Sequence, residues 1–101
     1  MDIYYITCES KKQAKSIAAE LLKKQLIACA NYFPVNSLYW WDDKIEESLE
    51  YVLLVTTKMG MFKKIEKEVK RNHSYDVVCM AQIPVEKNTS EYLKWLDKEV
   101  E

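Results

Sequence analysis

Residues 36–58, reading NSLYWWDDKIEESLEYVLLVTTK, constrain this chain more than any other stretch. Two runs of strand-forming residues flank Asp42-Asp43, and Asp tolerates the left-handed backbone that a tight hairpin turn demands. A β-hairpin follows, although Asp-Asp is a weaker turn signal than Asp-Gly. In the return arm Ile45, Leu49, Tyr51, Leu53 and Val55 share one face. Glu46, Ser48 and Glu50 share the other, until Val52 and Leu54 make it apolar too. The tip half is therefore one-sided and the base half buried on both faces.

Residues 44–57, if one extended strand at about 3.3 Å per residue, span roughly 45 Å, whereas a domain of this size has a radius of gyration of about 13 Å. Part of the hairpin should then project beyond its own subunit. Its tip carries Leu38, Tyr39, Trp40 and Trp41, and leaving such aromatics in water creates a patch larger than most monomers tolerate. Another subunit is the natural cover, with Tyr39, Trp40 and Trp41 at the interface. The alternative is a bulge that bends the strand and folds the aromatics back onto their own core.

The 101 residues suffice for one domain, residues 1–101, with one modest core. A hydrophobic share of 49% with 12% aromatics fits a packed globular chain. Fifteen basic residues, Arg71 the single arginine, stand against 16 acidic ones, which leaves no footprint for nucleic acid or an anionic membrane. The start, MDIYYITCES, lacks a basic region followed by a long apolar one, and no apolar run reaches transmembrane length. Cys8, Cys29 and Cys79 are odd in number and contain no C-x-x-C pair, which suits reduced thiols. The expectation is a cytoplasmic protein.

Residues 3–7 read as a first strand. Ser10-x-x-Gln13 fits a capping box, and Ala14, Ile17, Ala18, Leu21 and Leu22 recur at helical spacing. Residues 26–33 form a buried strand that Pro34 should interrupt. Beyond the hairpin, Phe62, Ile65 and Val69 stripe a second helix. Residues 76–85 should form the last long strand, with Pro84 placing its end at an edge. Residues 88–100 close the chain as a helix capped by Asn88-x-x-Glu91, with Tyr92, Leu93 and Leu96 facing inward. The fold class is α+β, a ferredoxin-like split βαβ sandwich with a long protruding β-hairpin and an extra C-terminal helix.

Four segments, LIACANYF (26–33), SLYWWDDKIEE (37–47), HSY (73–75) and EYLKWL (91–96), together resemble the CutA family of divalent-cation tolerance proteins over essentially the whole chain. The resemblance implies a homotrimer held by its hairpins, and a non-enzymatic role in the response to divalent metal ions, copper among them. The departures are specific. The family usually has Gly at the position of Asp43. It reads roughly H-P-Y-x-x-P-E where this chain reads His73-Ser74-Tyr75-Asp76-Val77-Val78-Cys79. Metal-binding members can carry a first-strand Cys and paired His, where this chain has Ile6 and Asn72.

His73, the only histidine, is a ligand or acid/base candidate beside Tyr75, or simply a helix-end residue at the negative end of the dipole. Cys79 replaces the family's acidic residue, and thiolate with imidazole would prefer copper or zinc. Cys29, between two alanines, is a further thiol, more readily explained as packing. A specific site needs three or four placed ligands. Any metal is therefore expected to bind weakly, through His73, Cys79 or Cys29. Tyr39, Trp41, Lys44, Glu50 and Tyr75 could instead line a cleft between subunits, Lys44 offering charge to a small anionic ligand. Interface packing with a solvated Lys44 is the plainer account. No nucleophile elbow, phosphate loop or H-E-x-x-H pattern is present, and Gly60 is the only glycine, so no enzyme or firm cofactor is expected.

Overall fold

The computed structural model describes residues 1–101 and runs β1 (Asp2–Cys8), α1 (Lys11–Lys23), β2 (Cys29–Trp41), β3 (Lys44–Thr57), α2 (Phe62–Arg71), β4 (Met80–Pro84) and α3 (Ser90–Glu99). The strands form one antiparallel sheet in the order β2-β3-β1-β4. This is the ferredoxin-like split βαβ arrangement expected from the order of elements.

Strict alternation in β1 sends Tyr4, Ile6 and Cys8 into the core, where Leu53 and Val55 of β3 join them. Ala14, Ile17, Ala18 and Leu21 of α1 and Ile65 and Val69 of α2 belong to the same cluster, so both crossover helices cover one sheet face. Ser10 caps α1, its Oγ accepting from the Gln13 N–H at 3.1 Å, while Gln13 Oε1 accepts from the Glu9 N–H at 2.9 Å. The helix ends in a Schellman motif, with Gln25 at φ 56 and the Leu26 N–H donating to the Leu21 carbonyl. Leu96 of α3 and Val100 just after it enter the core, and the Tyr92 hydroxyl meets Thr56 Oγ1 at 2.9 Å.

The hairpin turns on Asp42 (φ 48) and Asp43 (φ 62), both left-handed as a type I′ turn requires. Its ladder runs without a bulge from Cys29↔Thr56 to Trp41↔Lys44, which rules out the folded-back alternative. Pro34 does not interrupt β2. It pairs with Tyr51 inside the ladder, and the strand tolerates it because β2 is a sheet edge. The buried strand also starts later than the apolar pattern suggests, since Leu26, Ile27 and Ala28 precede β2 and only the last two are fully buried. The last strand is shorter than expected. Its pairing with β1 stops at Ile6↔Met80 although β1 continues to Cys8, because the Thr7 carbonyl is taken by the His73 ring, and residues 76–79 form a loop. α3 is capped by Thr89 rather than Asn88, whose Oδ1 accepts from the Thr89 N–H at 2.7 Å.

The subunit measures 45 × 26 × 21 Å with a radius of gyration of 14.2 Å, its length set by the hairpin. Beyond the reach of the helices the core face continues as Leu38, Trp40, Ile45 and Leu49, which are 70%, 72%, 60% and 65% exposed. Tyr39 and Trp41 alternate to the opposite face, beside Ser37, Ser48 and Glu50.

Candidate functional site

Residues 72–79 leave α2 and cross the end of β1, where three different elements hold them. Gln13 Nε2 of α1 donates to Ser74 Oγ at 2.8 Å. His73 Nε2 lies 2.7 Å from the Thr7 carbonyl of β1, and Nδ1 accepts from the Tyr75 N–H at 3.1 Å. The second bond fixes the neutral tautomer with hydrogen on Nε2, so Nε2 donates to Thr7 and both ring nitrogens are engaged. Tyr75 then donates its hydroxyl to Glu50 Oε2 of β3 at 2.7 Å. The Thr7 N–H donates to the Cys79 carbonyl at 3.3 Å and closes the loop onto the sheet.

Between this loop and the open face of the hairpin lies a cleft of about 590 Å³. Glu50 and Tyr75 stand on its polar side, Tyr39 and Trp41 on its aromatic side, with Cys79, Val77 and Thr7 completing much of the wall. Glu50 is only 9% exposed, yet no lysine, arginine or histidine pairs with it. Burial, then the hydrogen bond to Glu50, pushes the Tyr75 phenol well above its ordinary value, so it remains a donor. Burial and the nearby Glu50 carboxylate push the Cys8 thiol up to about 11. A concavity of this size with aromatic walls and a few convergent polar groups suits a small organic molecule.

The family model for the CutA1 divalent ion tolerance protein matches residues 3–99. The chain belongs to this family. It is 43% identical over 97 residues to the divalent-cation tolerance protein CutA of Archaeoglobus fulgidus, covering 96% of this chain and 95% of that one. With the Pyrococcus horikoshii protein of the same name it shares 36% identity over 99 residues, 98% of this chain and 97% of the relative. A solved structure, described as the periplasmic divalent cation tolerance protein CutA from A. fulgidus, superposes with a TM-score of 0.97 at 42% identity, over 100% of both chains. These relatives are named for tolerance of divalent cations and not for a reaction.

Within this CutA subunit, the sequence-predicted cleft residues Tyr39, Trp41, Glu50 and Tyr75 do line one cavity. Lys44 does not. It pairs with Trp41 at the turn, exposed and outside the lining, so the cleft wall carries a carboxylate and no cation. The interface trio divides, Trp40 on the apolar stripe and Tyr39 and Trp41 on the cleft side. His73 and Cys79 lie on the same loop around Thr7, whereas Cys29 begins β2 opposite Thr56, four β1 positions away at Ile3. Cys29 is half-buried and outside the core cluster. No three His, Cys, Asp or Glu side chains converge anywhere in the subunit, so the residues present do not compose a metal centre within one chain. Sequence reasoning missed Ser37, Thr7, Val77 and the Gln13–Ser74 link. Ser37 was accessible through its period of two with Tyr39 and Trp41, while the others depend on where the loop crosses β1.

Proposed function

We propose that this CutA member acts, without catalysing a reaction, as a homotrimer in the cellular response to divalent metal ions, copper among them. The observation that carries the reading is the apolar stripe of Leu38, Trp40, Ile45 and Leu49, which the subunit's own helices leave uncovered. A neighbouring copy supplies the cover, and the family resemblance supplies the number three. Direct metal contact is weak and falls to His73 and Cys79, because His73 must surrender one of its two hydrogen bonds to bind an ion. Three free thiols favour a reducing, cytoplasmic setting.

Sedimentation equilibrium at micromolar concentration should give about 36 kDa, three times the subunit's 12.0 kDa. A stable monomer would overturn the assembly. Copper and zinc titrations under reducing conditions, repeated on His73→Ala and Cys79→Ala, should show only weak binding. Stoichiometric submicromolar binding lost in either variant would show a built site instead.

A second reading is a signalling-type sensor that binds a small ligand in clefts between subunits. The anion expected from Lys44 loses its support, since Lys44 is outside the lining and Glu50 is the one charged side chain there, but one observation favours a sensor. The cavity between the hairpin and residues 72–79 is large enough for an organic molecule and lined by side chains from separate elements.

A further inference from the structure

Resting on the ligand-sensor reading, we propose that the cleft binds a small organic ammonium ion, its charge taken by Glu50 and its carbon frame by Tyr39 and Trp41. Glu50 is nine-tenths buried, and a buried charge is costly unless paired and hydrogen-bonded. It has one partner, the Tyr75 hydroxyl on Oε2 at 2.7 Å, which is neutral. Oε1 has no hydrogen bond within the subunit, and every Lys and Arg engaged in an ion pair is engaged elsewhere. Oε1 is also not sealed, since the one buried side-chain polar atom without a partner is the Tyr4 hydroxyl. Glu50 therefore offers an acceptor to the cavity that it lines.

The rest of the lining chooses among cations. A metal ion finds one carboxylate and one thiol here, too few donors for a specific site. An anion would face Glu50 with no basic side chain to offset it. An alkyl or aryl ammonium finds a carboxylate, hydroxyl oxygens on Thr7 and Ser37, and the rings of Tyr39 and Trp41, which favour a cation over their faces. The Tyr75 hydroxyl fits the same arrangement, because it donates to Oε2 and leaves Oε1 to face the cleft. Tyr75 acts here as a positioning residue.

Calorimetric titration of the assembled protein at neutral pH with benzylamine, benzyl alcohol and benzoate tests the proposal. Benzylamine should bind at least roughly tenfold more tightly than the alcohol, the value of a hydrogen bond to a charged partner, and benzoate should bind least. Glu50→Gln should abolish the preference for the amine, and Glu47→Gln, on the opposite face of β3, should leave it intact. Should Glu50→Gln fail to fold, Trp41→Leu at the exposed end of the cleft should weaken benzylamine several-fold. Equal binding of all three probes, or tighter benzoate, would sink the ammonium assignment while sparing the ligand-sensor reading. Failure of every probe would overturn both. Amine binding that appears only in Lys44→Met would show that a lysine of a neighbouring copy already fills the place, and the proposal would fall.

Discussion

Glu50 makes itself felt in side chains on both sides of the sheet. It bonds the Tyr75 hydroxyl from the open face, and its charge helps to hold the Cys8 thiol near 11 from the core side. Cys8 is fully buried and Cys79 is exposed, so a disulfide reagent at pH 8 should modify Cys79 first and Cys8 only as fast as the subunit opens. Mass spectrometry of partly labelled protein checks the order. The sign of the alkaline effect follows from the same group. The unfolded thiol releases its proton near 9.0, before the folded one, so the contribution of Cys8 is present below that pH and is lost as pH rises toward about 11. Cys8→Ala should flatten this part of a stability-against-pH curve measured by urea unfolding. His73 shows how far a single residue is legible. Its place beside Tyr75 at the helix end could be read from the sequence, but the engagement of both nitrogens needed the Thr7 carbonyl, 66 residues distant.

The hairpin turn gives a sharper prediction, because Asp43 sits at φ 62 where glycine is free of the Cβ penalty. Asp43→Gly should stabilise the protein by about 1 kcal/mol, read as a raised urea midpoint with an unchanged slope. The two helices are joined by Lys24 and Glu68, Nζ to Oε2 at 2.7 Å. That hydrogen bond, with Arg71 and Lys67 adding favourable charge, holds the Glu68 carboxyl below its ordinary value. Unfolded Glu68 takes up its proton first on acidification, so its contribution is present above the unfolded value near 4.5 and is lost as pH falls through the lower folded one. Lys24→Met should lower stability at pH 7 by more than at pH 3 when both are followed by thermal unfolding. The elements whose periodicity is local, α1, α2 and the hairpin, were legible residue by residue. Val77, Val78 and Cys79 have strand propensity and form none, because a strand needs a partner's backbone groups and the Thr7 carbonyl of β1 is engaged by the His73 ring instead. Pro34 misled in the opposite direction, for edge position is a property of the sheet and not of the residue's neighbours in sequence.

At the scale of the molecule, the sheet has two edges and one long arm. On the proposed trimer, substituting charge into the exposed stripe, as Trp40→Asp or Leu49→Lys, should disperse the assembly into folded subunits. Light scattering should report the smaller mass while far-ultraviolet circular dichroism keeps its helical and strand content, and unchanged mass would place the contact elsewhere. The division between arm and body also bears on how the protein is made. The buried core cluster draws nothing from residues 31–49, so a newly synthesised chain can complete it alone, at a rate indifferent to how many copies surround it. The arm is held in register by its own turn and ladder before any encounter, so little ordering remains when copies meet. Folding is then first order and, on the proposed trimer, precedes assembly, which sets a window in early synthesis when four large apolar side chains stand open to any passing surface.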